Sequence, residues 1–187
     1  MKKPKKEEKP LSGAQDAYEW LQILIVALVT IILVFTFVGR ITPVVGESML
    51  PTLHEGDVML IRDIGYTDPQ PGDIVVLTKE FDAARGPIVK RIIAVERQTV
   101  DIDYQTGTVY VDGEALDEPY LNEPMEEPWY EDLTSVTVPE GSVFVMGDNR
   151  NHSNDSRDVT LGTVDTRYLL GKAEFICFPF SDFGRIG

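Results

Sequence analysis

Cysteine is nearly absent from these 187 residues, with Cys177 the single example. One thiol excludes an intramolecular disulfide and any metal site built on several cysteines. Its place between Ile176 and Phe178 reads as a buried structural thiol. Histidine is almost as scarce, with His54 and His152 widely separated. With so few nitrogen and sulfur ligands, no metal and no cofactor is expected. Basic residues are also in short supply: 17 Lys and Arg face 31 Asp and Glu, for a net charge of −14. Nucleic acid is excluded as a partner, because its binders need cations to neutralise phosphates. There is no internal repeat, and no long segment after residue 40 carries helical periodicity.

What is present is a chain of ordinary domain size with 43% hydrophobic residues, enough for a packed core. Its charge is divided unevenly. Residues 1–9 hold five Lys and two Glu, which leaves a balance of −17 for residues 10–187. Residues 1–19 read as a polar, Lys-rich tail. Residues 21–38 then run without a charge. As a helix, that run spans roughly 27 Å, close to the thickness of a bilayer core. It is apolar on every face, unlike a soluble amphipathic helix. The stretch after it, GRITPVVGES, has no Ala-x-Ala-like cleavage site, so an uncleaved anchor over 20–39 is expected. Trp20 and Arg40 are its interfacial residues, and the preceding lysines place the N-terminus in the cytoplasm. Residues 40–187 then form an extracytoplasmic domain.

That domain reads as mainly β. Short apolar runs bounded by Gly, Pro or Asp occur at 58–62, 73–78, 88–96, 99–103, 108–113, 136–139 and 142–148. A short helix fits near 155–170. Residues 112–132 differ in being acidic and interrupted by Pro119, Pro124 and Pro128. They read as a solvated, irregular excursion, with a contact surface around Trp129 and Tyr130 as the sharper alternative. The tail around Phe175, Phe178 and Phe180 reads as core, with a membrane-dipping edge as the alternative.

Three stretches carry chemistry. In Gly46-Glu47-Ser48-Met49-Leu50-Pro51-Thr52, Pro51 biases Leu50 toward extended backbone, so Ser48 falls in an extended or turn segment. In Ile88-Val89-Lys90-Arg91-Ile92-Ile93-Ala94-Val95, strand alternation puts Lys90 on one face with Ile88, Ile92 and Ala94. Apolar neighbours desolvate the ammonium and depress its pKa. A lysine lowered to ~7–8 can serve as a general base near neutrality. The third stretch, residues 147–157, follows an apolar strand and is dense in hydrogen-bonding and charged side chains.

At these stretches the sequence resembles type I signal peptidases, in their short form with a single N-terminal anchor. The boxes are Ser48-Met49-Leu50-Pro51-Thr52, Gly72-Asp73-Ile74-Val75-Val76, Val89-Lys90-Arg91-Ile92-Ile93-Ala94, Gly147-Asp148-Asn149-Arg150 and Ser153-Asn154-Asp155-Ser156-Arg157. They come in the family's order behind one anchor. The resemblance covers roughly residues 20–180 and is looser at Asp117-Glu118-Pro119-Tyr120. It implies an antiparallel-sheet catalytic domain with a Ser-Lys dyad and no cofactor. Ser48 is implied as nucleophile and Lys90 as general base. Ser153 would orient the lysine amine. Asp148 would pair with Arg91, and Asp155 with Arg157. Met49 and Pro51 would contact substrate. Some family members carry a serine two positions before the nucleophile, where this chain has Gly46. The oxyanion hole is then left to the Ser48 N–H and another backbone donor.

The implied substrate is a preprotein whose signal peptide is cut after small residues, typically Ala-x-Ala, at the bilayer that anchors the enzyme. The oligomeric state is not legible. Rival readings are a Ser-His-Asp hydrolase using Ser48, His152 and Asp155, a self-cleaving Ser-Lys repressor, and a membrane-tethered non-enzymatic β domain that binds exported proteins.

Overall fold

The computed structural model describes residues 13–37, 40–83, 86–127 and 132–186. The chain divides into two compact units, Met1–Val38 and Gly39–Gly187. The expected contact surface at Trp129 and Tyr130 and most of the Lys-rich tail lie outside the described residues.

The described residues of the first unit form one helix, α1 (Gly13–Phe37). It starts before the apolar run, inside the stretch read as tail, because Ala14, Gln15, Ala17 and Glu19 are good helix formers. Gln15–Leu33 is long and apolar enough to cross a membrane.

The second unit is an antiparallel β structure. Its strands are β1 (Arg40–Pro43), β2 (Val58–Arg62), β3 (Ile74–Leu77), β4 (Ile88–Val95), β5 (Thr99–Asp103), β6 (Thr108–Val111), β7 (Glu114–Ala115), β8 (Ser135–Thr137), β9 (Ser142–Met146), β10 (Val164–Asp165), β11 (Leu169–Phe178) and β12 (Gly184–Arg185). One sheet has the order β1-β2-β11-β3-β4-β9-β10, with β12 added beside β11. A smaller one has the order β7-β6-β5-β8. All seven runs read from the sequence are strands. Two short 3-10 turns lie at Arg150–His152 and Thr166–Tyr168, the second within the region expected to hold a short helix.

The longest strand, β11, has no counterpart in the sequence reading. Its alternation holds over Gly171-Lys172-Ala173-Glu174 and breaks at Glu174-Phe175, where its pairing with β2 shifts register between Ala173 and Phe175, and it shifts again between Ile176 and Phe178. Each shift turns the following residues to the other face. The aromatic tail is therefore not core: Phe175, Phe178 and Phe180 are exposed, as is Phe183. Cys177 is half-buried rather than buried. A register shift between β4 and β9 at Ile92/Ala94 likewise limits the expected face of Lys90. Ile88 and Ile92 pack in one apolar cluster with Val75 and Val145, while Ala94 joins another with Phe144 and Val100.

These sheets place the chemistry. On β4, Lys90 lies across from Val75 of β3, and Arg91 lies between Ile74 and Met146 of its two neighbours. The end of β9 thus delivers residues 147–157 beside Arg91 and Lys90. The loop between β1 and β2 is pinned by Val44, Met49 and Leu53, which enter the core with Met59, Ile61 and Ile74.

Candidate active site

Ser48 lies in a turn whose first carbonyl, Glu47 O, accepts from Leu50 N at 3.1 Å. The next backbone bond closes from Leu53 N to Met49 O at 2.9 Å. Met49 is buried beneath the turn, so Ser48 is held at half-burial above it. Gly46, two residues earlier, has φ +88°, a conformation in which a side chain is strained. A glycine is what this backbone accommodates where the resemblance would allow a serine.

Lys90 is 3% exposed. Its amine donates to Ser48 Oγ at 2.7 Å and to the Val89 carbonyl at 2.9 Å. Burial pushes its pKa down to about 8, the nearby Asp155 opposing and Arg157 assisting that shift. A cavity of about 80 Å³ adjoins the pair, with Val44, Met49, Val76 and Ile88 among its lining residues. Pro51 is exposed and does not line it.

Two buried ion pairs support this centre. Arg91 grips Asp148 through Nε at 2.8 Å and Nη2 at 2.7 Å. Burial opposes the Arg91 charge, but the Asp148 carboxylate more than offsets it and raises the pKa. The Tyr120 ring lies 4.0 Å from the same guanidinium, and Thr52 donates its hydroxyl to Asp148. The serine turn is thereby tied to β4. Asp155, completely buried, accepts from Arg157 Nε at 2.8 Å, from the Ser153 hydroxyl at 2.7 Å and from Gly147 N at 2.9 Å. Burial alone would raise its pKa, and these donors hold it below the usual carboxylate range. A third pair joins Arg150 to Glu118.

Asn149 touches the serine directly. Its backbone N–H donates to the Ser48 carbonyl at 3.0 Å, and its side-chain Nδ2 donates to the Glu47 carbonyl at 3.0 Å. His152, by contrast, is exposed, and its side chain makes no hydrogen bond among the described residues. Its proposed partner Asp155 is committed to Arg157.

A half-buried hydroxyl bonded to a buried, partly discharged amine can act as nucleophile and base. A family model described as signal peptidase, peptidase S26, matches residues 17–178. The chain belongs to this family. It is 40% identical over 178 residues to a probable signal peptidase I-1 of Synechocystis, covering 90% of this chain and 86% of that one. It is 35% identical over 184 residues to signal peptidase I of Bacillus licheniformis, covering 94% of this chain and 96% of that one. A solved structure of a signal peptidase I from Enterococcus faecalis shares 31% identity and a TM-score of 0.47, covering 58% of this chain and 98% of that one.

In this signal peptidase family member Ser48 and Lys90 line the cavity, and Arg91, Asp148, Ser153, Asp155 and Arg157 form the buried ion-pair network beside them. Four residues of the same cluster were given no part from the sequence: Thr52, Glu118, Tyr120 and Asn149. The available signal was a deficit of counter-charge. Once Asp148 and Asp155 are assigned to Arg91 and Arg157, Arg150 still needs a partner. The nearest loosely matching stretch holds Glu118. The excursion is therefore not a merely solvated loop: Glu118 and Tyr120 face the site, and Glu126 N and Glu123 bond to Asn151. One group able to hold a metal ion is present among the described residues: His54, Asp57 and Asp182, with ligand atoms within 4.8 Å of one another. None of the three lines the cavity beside Ser48.

Proposed function

We propose that this protein is a membrane-anchored serine endopeptidase that removes signal peptides from exported preproteins after small residues in an Ala-x-Ala pattern. The observation that carries the proposal is the 2.7 Å approach of the buried Lys90 amine to the Ser48 hydroxyl. Neutral Lys90 takes the Ser48 proton as Oγ attacks the scissile carbonyl. The resulting ammonium passes that proton to the leaving amine, and an acyl-enzyme remains. That amine is the new N-terminus of the mature chain, which departs, and water activated by the same lysine amine then hydrolyses the acyl-enzyme and releases the signal peptide. Charge on the tetrahedral oxygen falls to the Ser48 N–H, since Gly46 offers no hydroxyl.

The small cavity favours short side chains beside the reacting carbonyl. The apolar helix α1 and the exposed Phe175, Phe178, Phe180 and Phe183 favour a bilayer as the working surface. In this arrangement residues 1–19 are cytoplasmic, 20–39 the anchor and 40–187 the extracytoplasmic catalytic domain. Ser153 supports Asp155, which lies near enough to Lys90 to influence its charge. Met49 belongs to the substrate cavity, and Pro51 shapes the turn beside it.

The test is cleavage of a purified preprotein bearing an Ala-x-Ala site, in detergent, by wild type, Lys90→Ala and His152→Ala. Cutting after the final Ala by wild type and His152→Ala alone is expected. Retained cutting by Lys90→Ala would remove the dyad, and loss in His152→Ala would revive the histidine.

A further inference from the structure

We infer that Asn149 is the positioning residue of the oxyanion hole: its side-chain amide fixes the one peptide unit that supplies the Ser48 N–H. This rests on the reading of Ser48 as nucleophile. The Glu47 carbonyl and the Ser48 N–H belong to a single planar, trans peptide group, so their directions are locked opposite to each other. Whatever holds the carbonyl therefore aims the N–H.

Two donors hold that carbonyl. Leu50 N reaches it at 3.1 Å within the turn, and Asn149 Nδ2 reaches it at 3.0 Å from the far side of the site. Both lone pairs of the carbonyl are thus engaged. Only the amide nitrogen of Asn149 can face a carbonyl oxygen, which also fixes the orientation of that side chain. The Asn149 backbone N–H takes the next carbonyl along, Ser48 O, at 3.0 Å. One residue therefore clamps the peptide units on both sides of the Ser48 Cα.

Asn149 is itself well seated. It is 8% exposed, between Asp148 in the Arg91 pair and Arg150 in the Glu118 pair. The clamp is thus referenced to β4, which also carries Lys90. Among the described residues the Ser48 N–H has no hydrogen-bond acceptor. A donor pinned from behind and unsatisfied in front is poised for an oxygen that gains charge during reaction. With Gly46 in place of a hydroxyl-bearing residue, the aim of this N–H carries more of the stabilisation.

The experiment uses the full chain in detergent with the Ala-x-Ala preprotein, comparing wild type, Asn149→Ala and Asn149→Asp, with Ser48→Ala and Lys90→Ala alongside. Asn149→Ala keeps the backbone N–H and loses only the clamp on Glu47. Asn149→Asp sets a carboxylate oxygen against that carbonyl. The expected result is a fall in kcat of about 10- to 100-fold for Ala and more for Asp, short of the full loss of a donor. KM should stay within about twofold, because the interaction is made in the transition state. The pH midpoint of the rate should not move, because Lys90 stays buried. A kcat for Asn149→Ala close to wild type overturns the inference. So does a loss that comes with raised KM and a midpoint shifted toward an ordinary lysine, which reports a loosened site. Rates are referred to the folded fraction from thermal melts, so a loss that follows unfolding also counts against it. Cutting by Ser48→Ala or Lys90→Ala would instead overturn the catalytic reading on which the inference stands.

Discussion

Replacing Lys90 with methionine should abolish activity and yet stabilise the protein below pH 8. The lysine is 3% exposed, and its pKa is lowered from 10.5 to about 8, chiefly by burial. Each unit corresponds to about 1.4 kcal/mol, so the protonated side chain costs the fold on the order of 3 kcal/mol. Between pH 8 and 10.5 the unfolded chain keeps a proton on Lys90 that the folded chain has released. Stability must therefore rise with pH across that window, while below pH 8 the full penalty persists. Methionine fills similar volume without charge. It forfeits the bonds to Ser48 Oγ and the Val89 carbonyl, each worth about 1 kcal/mol. The variant should thus be more stable than wild type by about 1 kcal/mol near pH 6 and less stable by about 2 kcal/mol near pH 10.5. Urea unfolding of the full chain in non-ionic detergent, from about pH 6 to about pH 10.5, measures the gap. A gap that does not change with pH would refute the assignment of Lys90 as a buried lysine destabilised by its own charge.

Two further outcomes follow from the same groups. The rate of preprotein cleavage should rise with pH and level off, with a midpoint near the lowered pKa of about 8, because the neutral amine is the active form; a midpoint near that of a free lysine would remove the buried base. Asp148→Asn should leave the Arg91 guanidinium buried without its charge partner and cost about 3–5 kcal/mol, read as a fall in the urea midpoint; a loss below about 1 kcal/mol would show the pair to be dispensable.

The sequence carried the fold wherever a strand alternates cleanly between flanking turn residues. β2 and β5 run over the same residues that the apolar pattern marks, Val58–Arg62 and Thr99–Asp103. It did not carry β11, whose two register shifts turn Phe175 and Phe178 to solvent. An apolar residue in a sequence reports an affinity for burial, not the face on which a bulge leaves it. The site divides along the same line. Ser48, Lys90 and the Arg91–Asp148 and Arg157–Asp155 pairs are legible because the resemblance implies them, each residue standing in one of its boxes. Glu118 and Tyr120 are not, because they fall in the stretch where the resemblance is loose, and only the folded sheets show that they meet Arg150 and Arg91. The Asn149 clamp is invisible for another reason. Its partners are backbone carbonyls, which every residue possesses, so no residue type marks them.

Gly147 tests how tightly the box at the end of β9 is fitted to the serine turn. A Cβ added there would fall far inside van der Waals contact of the Ser48 carbonyl oxygen and of Ser153 Oγ and Cβ. The Ser153 atoms could yield only by disturbing a hydroxyl that bonds Asp155 at 2.7 Å. The Ser48 carbonyl could yield only by moving the turn that Asn149 N–H holds at 3.0 Å. Over-packing of this kind costs about 1–3 kcal/mol in stability. Its effect on rate should be larger, since a displacement of about 1 Å at a reacting group can cost roughly 100-fold. Gly147→Ala should therefore remain folded at moderate temperature while losing at least about tenfold in kcat. If its kcat matches wild type, the turn has more freedom than these contacts allow, and the close fit of Gly147 against Ser48 is not what holds the nucleophile.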